Sequence, residues 1–304
     1  MKRIILSLLM IVTVAGVTVG ATVAYFSDTE TSTNNTFAAG TIDIAVNDEN
    51  AWEETVFDVT VDGNLKPGMS RTATLTVANV GQNDLVLWKR VKVTDRNGGD
   101  STEPEETADP SDSINNLDSQ ISYDMTVGGV NTIPAIWGVK LADVDSLWIP
   151  LGKVVAGDSV DVTQVYKLLE ETGNEYQGDT LTFDIDLYAE QMDAPGPEHT
   201  TRGVVLENKD TTDWFPIMDG TLGILTWDVS GNYTLKAFGL TGGVTYRFAQ
   251  GDPEVGISAY MTPTAGNLTI TGNYGGFATP NTKYWLRPND WDNAKSLWES
   301  NLVN

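Results

Sequence analysis

The sequence predicts an all-β protein: a jelly-roll sandwich followed by a second, smaller immunoglobulin-like β-sandwich. Three observations carry this. Apolar side chains recur at every second position through most of the chain, turn clusters separate those runs at short intervals, and only Ala142 to Leu147 has helical character. The length of 304 residues suits two domains.

The first element is a leader. Lys2 and Arg3 precede an uncharged apolar run from Ile4 to Val19, and Ala21-Thr22-Val23-Ala24 places small residues at both positions that a signal peptidase inspects. Residues 1–24 read as a secretory signal peptide cleaved between Ala24 and Tyr25, leaving 280 residues. The competing reading is an uncleaved anchor, because the run approaches the length of a short membrane span. Tyr25 to Ala39 is polar and rich in Thr and Asn, and the first alternating strand begins only at Thr41. That segment is either a flexible terminus or a strand handed to a neighbour.

Strands are expected at Thr41–Val46, Thr55–Val61, Arg71–Val80, Leu85–Thr94, Ile121–Val127, Ser159–Leu168 and Thr180–Ala189. The last places Leu181, Phe183, Ile185 and Leu187 on one face and Thr182, Asp184, Asp186 and Tyr188 on the other, the pattern of a half-buried strand. Turn signals at Lys66-Pro67-Gly68, Gly81 to Asp84, Gly128-Gly129 and Ala156-Gly157-Asp158 punctuate them. Asp95 to Gln120 holds eight acidic residues and one arginine and reads as a long exposed loop.

Asp193 to His199 contains two prolines and a glycine and reads as a linker, so residues 25–193 form the first domain, 194–202 the connection and 203–304 the second domain. Charge changes at the same place. Residues 25–202 carry 32 acidic and 10 basic side chains, against 10 and 6 in residues 203–304. The second half has short strands at Thr221–Val229, Asn232–Phe238, Thr245–Ala249, Asn267–Thr271 and Thr282–Leu286. It also holds five of the nine tryptophans, Trp214, Trp227, Trp285, Trp291 and Trp298. They suit either the core of a small sandwich or a platform for polysaccharide at a cell surface.

Three blocks, ATVAYFSDTETSTNNTFAAGTIDIAV, NLKPGMSRTATLTVANVGQNDLVLW and EYQGDTLTFDIDLYAEQMD, occur in the order found in the TasA and camelysin family, which this chain resembles over about residues 15–193. Met69 departs from the pattern, standing where an acidic residue often follows L-K-P-G. The resemblance implies export through a dedicated signal peptidase and a secreted jelly-roll subunit, similar also to archaeal bundling pilins, that polymerises with itself. It further implies donor-strand complementation, in which the mature N-terminus completes the sheet of the next subunit. Tyr25, Phe26, Ser27, Asp28 and Phe37 would then form the assembly segment. The second half resembles, more loosely, a repeat of secreted archaeal surface proteins.

The alternatives are a monomeric cell-surface adhesion protein and a camelysin-like metallopeptidase. Catalytic zinc usually takes three protein ligands rich in His. This chain has one histidine, His199, and no cysteine, and it has no H-E-x-x-H, so no catalytic residues are assigned and the expectation is a non-enzyme. Without cysteine there are no disulfides either. Calcium is the one cofactor considered, through Asp95, Asp100, Glu103, Glu105, Glu106, Asp109 and Asp112, whose oxygens suit a hard cation but lack the fixed spacing of a calcium loop. With 42 acidic and 16 basic residues after cleavage, nucleic acid is not an expected partner. Sequons at Asn34, Asn232 and Asn267 fit a glycosylated surface protein.

Overall fold

The computed structural model describes residues 41–50, 52, 65–98, 103–111, 113–192, 197, 203–209, 217–251, 255–277, 283–289 and 297–299. The first eight strands are β1 Ile44–Val46, β2 Ser70–Asn79, β3 Leu85–Asn97, β4 Ile121–Val127, β5 Val130–Ile133, β6 Trp148–Val154, β7 Ser159–Leu168 and β8 Thr180–Gln191. They build two antiparallel sheets, ordered β1-β2-β7-β4-β5 and β6-β3-β8, around one core. Strand β2 shows why: Ala73, Leu75 and Val77 point into that core, while the threonines between them face outward. Opposite β7, Thr74 pairs with Thr163 through their hydroxyls, and Thr76 donates to Asp161 at 2.7 Å. Such cross-strand pairs fix the register.

The chain enters this sandwich along β2. Asp43 and Thr41 carbonyls accept hydrogen bonds from Val80, Gly81 and Gln82. A Cβ on Gly81 would stand 2.4 Å from the Thr41 carbonyl oxygen, so glycine is what allows the approach. The strand expected at Thr55–Val61 lies outside the described residues.

The described residues of the acidic segment are mostly exposed, but they carry regular structure where a plain loop is expected. Strand β3 runs on to Asn97, helix α1 forms at Glu103–Ala108, and a 3-10 turn spans Leu117–Gln120. Glu105, Asp109 and Asp118 are buried. Arg96, at the end of β3, gathers the segment inward: its guanidinium donates to Asp118 Oδ2 at 2.5 and 3.1 Å and to Asp145 Oδ2 at 3.0 Å. Both carboxylates are nearly out of solvent, so the cation compensates charge that burial would otherwise make costly.

The second half contributes β9 Gly203–Asn208, β10 Leu222–Trp227, β11 Asn232–Phe238, β12 Tyr246–Gln250, β13 Val255–Gly256, β14 Leu268–Asn273, β15 Tyr284–Pro288 and β16 Leu297–Glu299. The sandwich is made from one hydrogen-bonded sheet, ordered β13-β12-β15-β16-β9-β10-β11-β14. Tyr233 on β11 nevertheless touches Phe248 on β12, ring centroids 5.3 Å apart, across four intervening strands. The sheet therefore bends over a core of its own.

The two cores meet at β9. Val204 and Leu206 face the second core, whereas Val205, with Leu222, Ile224 and Phe238, belongs to the first. Helix α2, the single turn Leu141–Val144, packs against this junction, and Asp143 pairs with Lys236 of β11 at 2.6 Å. In β6, Gly152 has φ +91°, and a Cβ there would reach Met218 Cγ at 2.8 Å. Only glycine suits both the turn of the backbone and that close approach.

Candidate functional site

Among the described residues, β8 pairs only with β3, in a register from Leu85↔Gln191 to Asn97↔Thr180. Its other edge is a 12-residue strand side without a partner in that set. Its core-facing side chains, Leu181, Phe183, Ile185, Leu187 and Ala189, are only partly buried, although Leu85, Leu87, Val91 and Ile149 on the neighbouring strands are fully buried. Among the described residues the sheets have five and three strands, and the last strand of the narrower sheet covers the core incompletely. Such an edge presents N–H and C=O groups together with an apolar flank, the surface that an added strand satisfies.

The outer face of β8 is held by side chains. Arg90 donates to Asp186 Oδ2 at 2.6 and 2.9 Å, and its guanidinium lies 4.4 Å from the Trp148 ring. Tyr188 sits between Trp88 and Trp148, at 6.0 and 5.6 Å, and donates to Glu190. The strand is thus fixed in place on β3 rather than waiting for a partner to order it.

Beneath this sheet lies a polar cluster inside the core. Lys89 Nζ donates to the Tyr123 hydroxyl at 2.8 Å. Tyr123 and Tyr166 donate to Gln164 Oε1 at 3.2 and 2.8 Å. Burial pushes the Lys89 ammonium well below the lysine range and both phenols above the tyrosine range. Tyr166 stacks on Phe183 of β8, 5.2 Å away, so the cluster supports that strand from below. The sequence carried a signal for it, since Lys89 follows Leu85 and Leu87 at the same parity.

The expected assembly residues Tyr25, Phe26, Ser27, Asp28 and Phe37, the cleavage pair Ala24 and Tyr25, and the sequon Asn34 lie outside the described residues. So do Asp100 and Asp112, and the side chain of Glu103. Of the other calcium candidates, Asp95 is exposed on β3, Glu105 is buried and Glu106 exposed on α1, and Asp109 follows that helix. Asp109 accepts hydrogen bonds from the amides of Ser113 and Ile114 and from the hydroxyls of Ser111 and Ser113, which hold its pKa below the ordinary carboxylate value. It organises its own turn. Asn232 donates to Asp228 and accepts from Asn273, and Asn267 shares a tight turn with Thr264.

The family model described as Camelysin metallo-endopeptidase matches residues 1–196. No curated protein matches the chain. The described residues do not fit the metal that the description implies. The chain has a single histidine and no cysteine, and among the described residues no group of three His, Cys, Asp or Glu side chains could hold a metal ion. No catalytic step is derived through such a metal.

Proposed function

The chain belongs to the TasA/camelysin family, and from that premise we propose that it is a secreted structural subunit polymerising into an extracellular filament or biofilm matrix. The N-terminal segment of one subunit is donated to the β8 edge of the next. The observation that carries this reading is the half-covered apolar flank of β8, 12 residues long and unpaired on one side among the described residues. Tyr25 to Thr36 is an equally long segment, about 40 Å when extended. Side chains of an added strand alternate between its faces, so one of the adjacent Tyr25 and Phe26 is offered to the flank, and the polar Thr and Asn residues suit the exposed side of an edge strand. Removal of the leader between Ala24 and Tyr25 frees the segment, so export and assembly are coupled.

The test compares the mature chain with a variant lacking Tyr25 to Thr36. Electron microscopy is expected to show filaments for the first and soluble subunits for the second, and the peptide YFSDTETSTNNTF is expected to raise the Tm of the truncated subunit with concentration. Truncated subunits that polymerise normally and ignore the peptide would overturn the mechanism. In this reading the chain is not a peptidase, and zinc-dependent cleavage of casein by purified protein would contradict that.

A further inference from the structure

The sheet of the second half has two end strands of different character. Strand β13 is two residues long, whereas β14 has six and pairs with β11 along all of them without a shift of register. Among the described residues nothing pairs with the other side of β14. Proteins blunt such an edge with lysine, proline, a bulge or a covering element. The sequence of β14, Leu-Thr-Ile-Thr-Gly-Asn, has no lysine or proline, and its regular register leaves no bulge. We propose that N-linked glycans on Asn232 and Asn267 supply the cover.

The fold brings together two sequons that lie far apart in the chain. Asn267 immediately precedes β14, and Asn232 stands opposite Asn273, the last residue of that strand. The two asparagines thus mark opposite ends of one edge. They also share a face. Tyr233 and Leu235 of β11, with Leu268 and Ile270 of β14, turn into the second core, so the alternate residues Asn232, Thr234, Asn267, Thr269 and Thr271 lie on the outer side. Asn232 and Thr269 are exposed, and Asn267 closes a tight turn in which Ala265 and Gly266 have φ of +52° and +79°. Neither sequon has proline at its middle position, which is Tyr233 in one and Leu268 in the other.

The amide of Asn232 can carry the modification without losing its place. Its Nδ2 donates to Asp228 Oδ2 at 2.8 Å, and its Oδ1 accepts from Asn273 at 2.9 Å. An asparagine amide has two N–H bonds. One serves Asp228 and the other is the one replaced. In the transfer, Nδ2 bonds to the anomeric carbon of a lipid-linked, phosphate-activated oligosaccharide. The bond from that carbon to the phosphate oxygen breaks, the lipid phosphate departs and the amide proton passes to base.

A bulky, hydrated glycan at each end of β14 keeps a second chain from pairing along it. In a chain that accepts a donated strand at β8, such a cover leaves β8 as the accepting edge. The inference needs only export from the function proposed above, and it does not depend on polymerisation.

Occupancy is tested by intact glycopeptide mass spectrometry of the secreted protein, isolated from the cells that produce it. Both asparagines are expected to carry a glycan. A bare asparagine at either position in the secreted chain overturns the proposal and leaves the filament reading standing, whereas a chain retained bare inside the cell overturns both.

The cover is tested by sedimentation velocity of the full chain with Thr33→Pro, which holds strand donation off. Thr234→Val with Thr269→Gln removes both sequons and keeps both asparagines in place. This variant is expected to self-associate at least tenfold more tightly than its glycosylated parent, at an unchanged Tm. Adding Thr271→Lys, a charge on the bare edge, is expected to return it to the monomer. A variant without sequons that stays as monomeric as its parent, or an association that Thr271→Lys leaves intact, overturns the cover. If removal of the sequons lowers the Tm, the parent chain made in a host that does not glycosylate takes its place in the same comparison.

Discussion

Trp137 of the first half and Phe238 of the second lie face to face, with ring centroids 4.2 Å apart and planes 8° from parallel. Beside them, Leu222, Ile224 and Val205 complete a core that begins in the first sandwich. The proline-rich connection predicts two independent cores, whereas among the described residues the second half has a core of its own and also contributes side chains to the first. Calorimetry is therefore expected to show a single cooperative transition. Trp137→Ala, which removes a partly exposed ring, is expected to cost about 2 kcal/mol and lower the Tm by about 5 °C. Two separate transitions in the wild-type protein would contradict the shared core.

Lys89 gives a pH signature. In the unfolded chain it keeps its proton to about pH 10.4, while in the core it loses it earlier. Between those two values the unfolded state holds the extra proton, so stability rises with pH, by about 1.4 kcal/mol per unit at most. Above about pH 10 the sign reverses, because unfolded tyrosines ionise while buried Tyr123 and Tyr166 keep their protons. Lys89→Met is expected to remove the rise and to leave the protein as stable or more so at pH 7, checked by denaturant melts from pH 7 to 9.5.

Arg96 serves two buried carboxylates at once. Arg96→Ala leaves Asp118 and Asp145 uncompensated and is expected to destabilise by about 2 kcal/mol, a moderate figure because the guanidinium is itself 34% exposed. Hydrogen exchange in 117–120 should rise with it. Asp118→Asn, which keeps one acceptor for Arg96, is expected to cost less.

Thr33→Pro tests the donated strand without shortening the chain. It removes one ladder donor and fits poorly inside a paired strand, so filament formation is expected to fail while subunit stability stays unchanged. Filaments of normal length by electron microscopy would count against strand donation.

Excess chelator is expected to leave the melting curve where it was, because Asp109 already spends its carboxylate on neighbouring amides and hydroxyls. A fall in Tm that calcium restores would instead assign the acidic segment a bound cation.

How far these features could be read from sequence depends on how local their causes are. Strands β4 and β7 run over the expected residues, because one face of each meets the core and the other meets solvent or threonine pairs. Strand β6 contains Pro150 and Gly152, which break the pattern, and Pro150 is accommodated where the β3 register shifts at Leu87/Trp88. Strand β9 does not alternate at all, since it is buried on both sides. Arg96 finds Asp118 and Asp145 across 22 and 49 residues, a pairing no local pattern encodes. The alternation of β8 was legible. That its far edge has no partner among the described residues follows from sheet order, and the segment proposed to fill it lies outside them.

The position of β9 also bears on where the chain can be divided. The family match stops at residue 196, yet the first hydrophobic core continues through Val205, Leu222, Ile224 and Phe238. A boundary drawn by sequence similarity thus cuts through a physical unit. A chain consisting of the matched region alone would leave the Trp137 ring without Phe238 against it. A graft of residues 203–304 onto another sandwich therefore has to carry the contacting wall with it, the Trp137 face included.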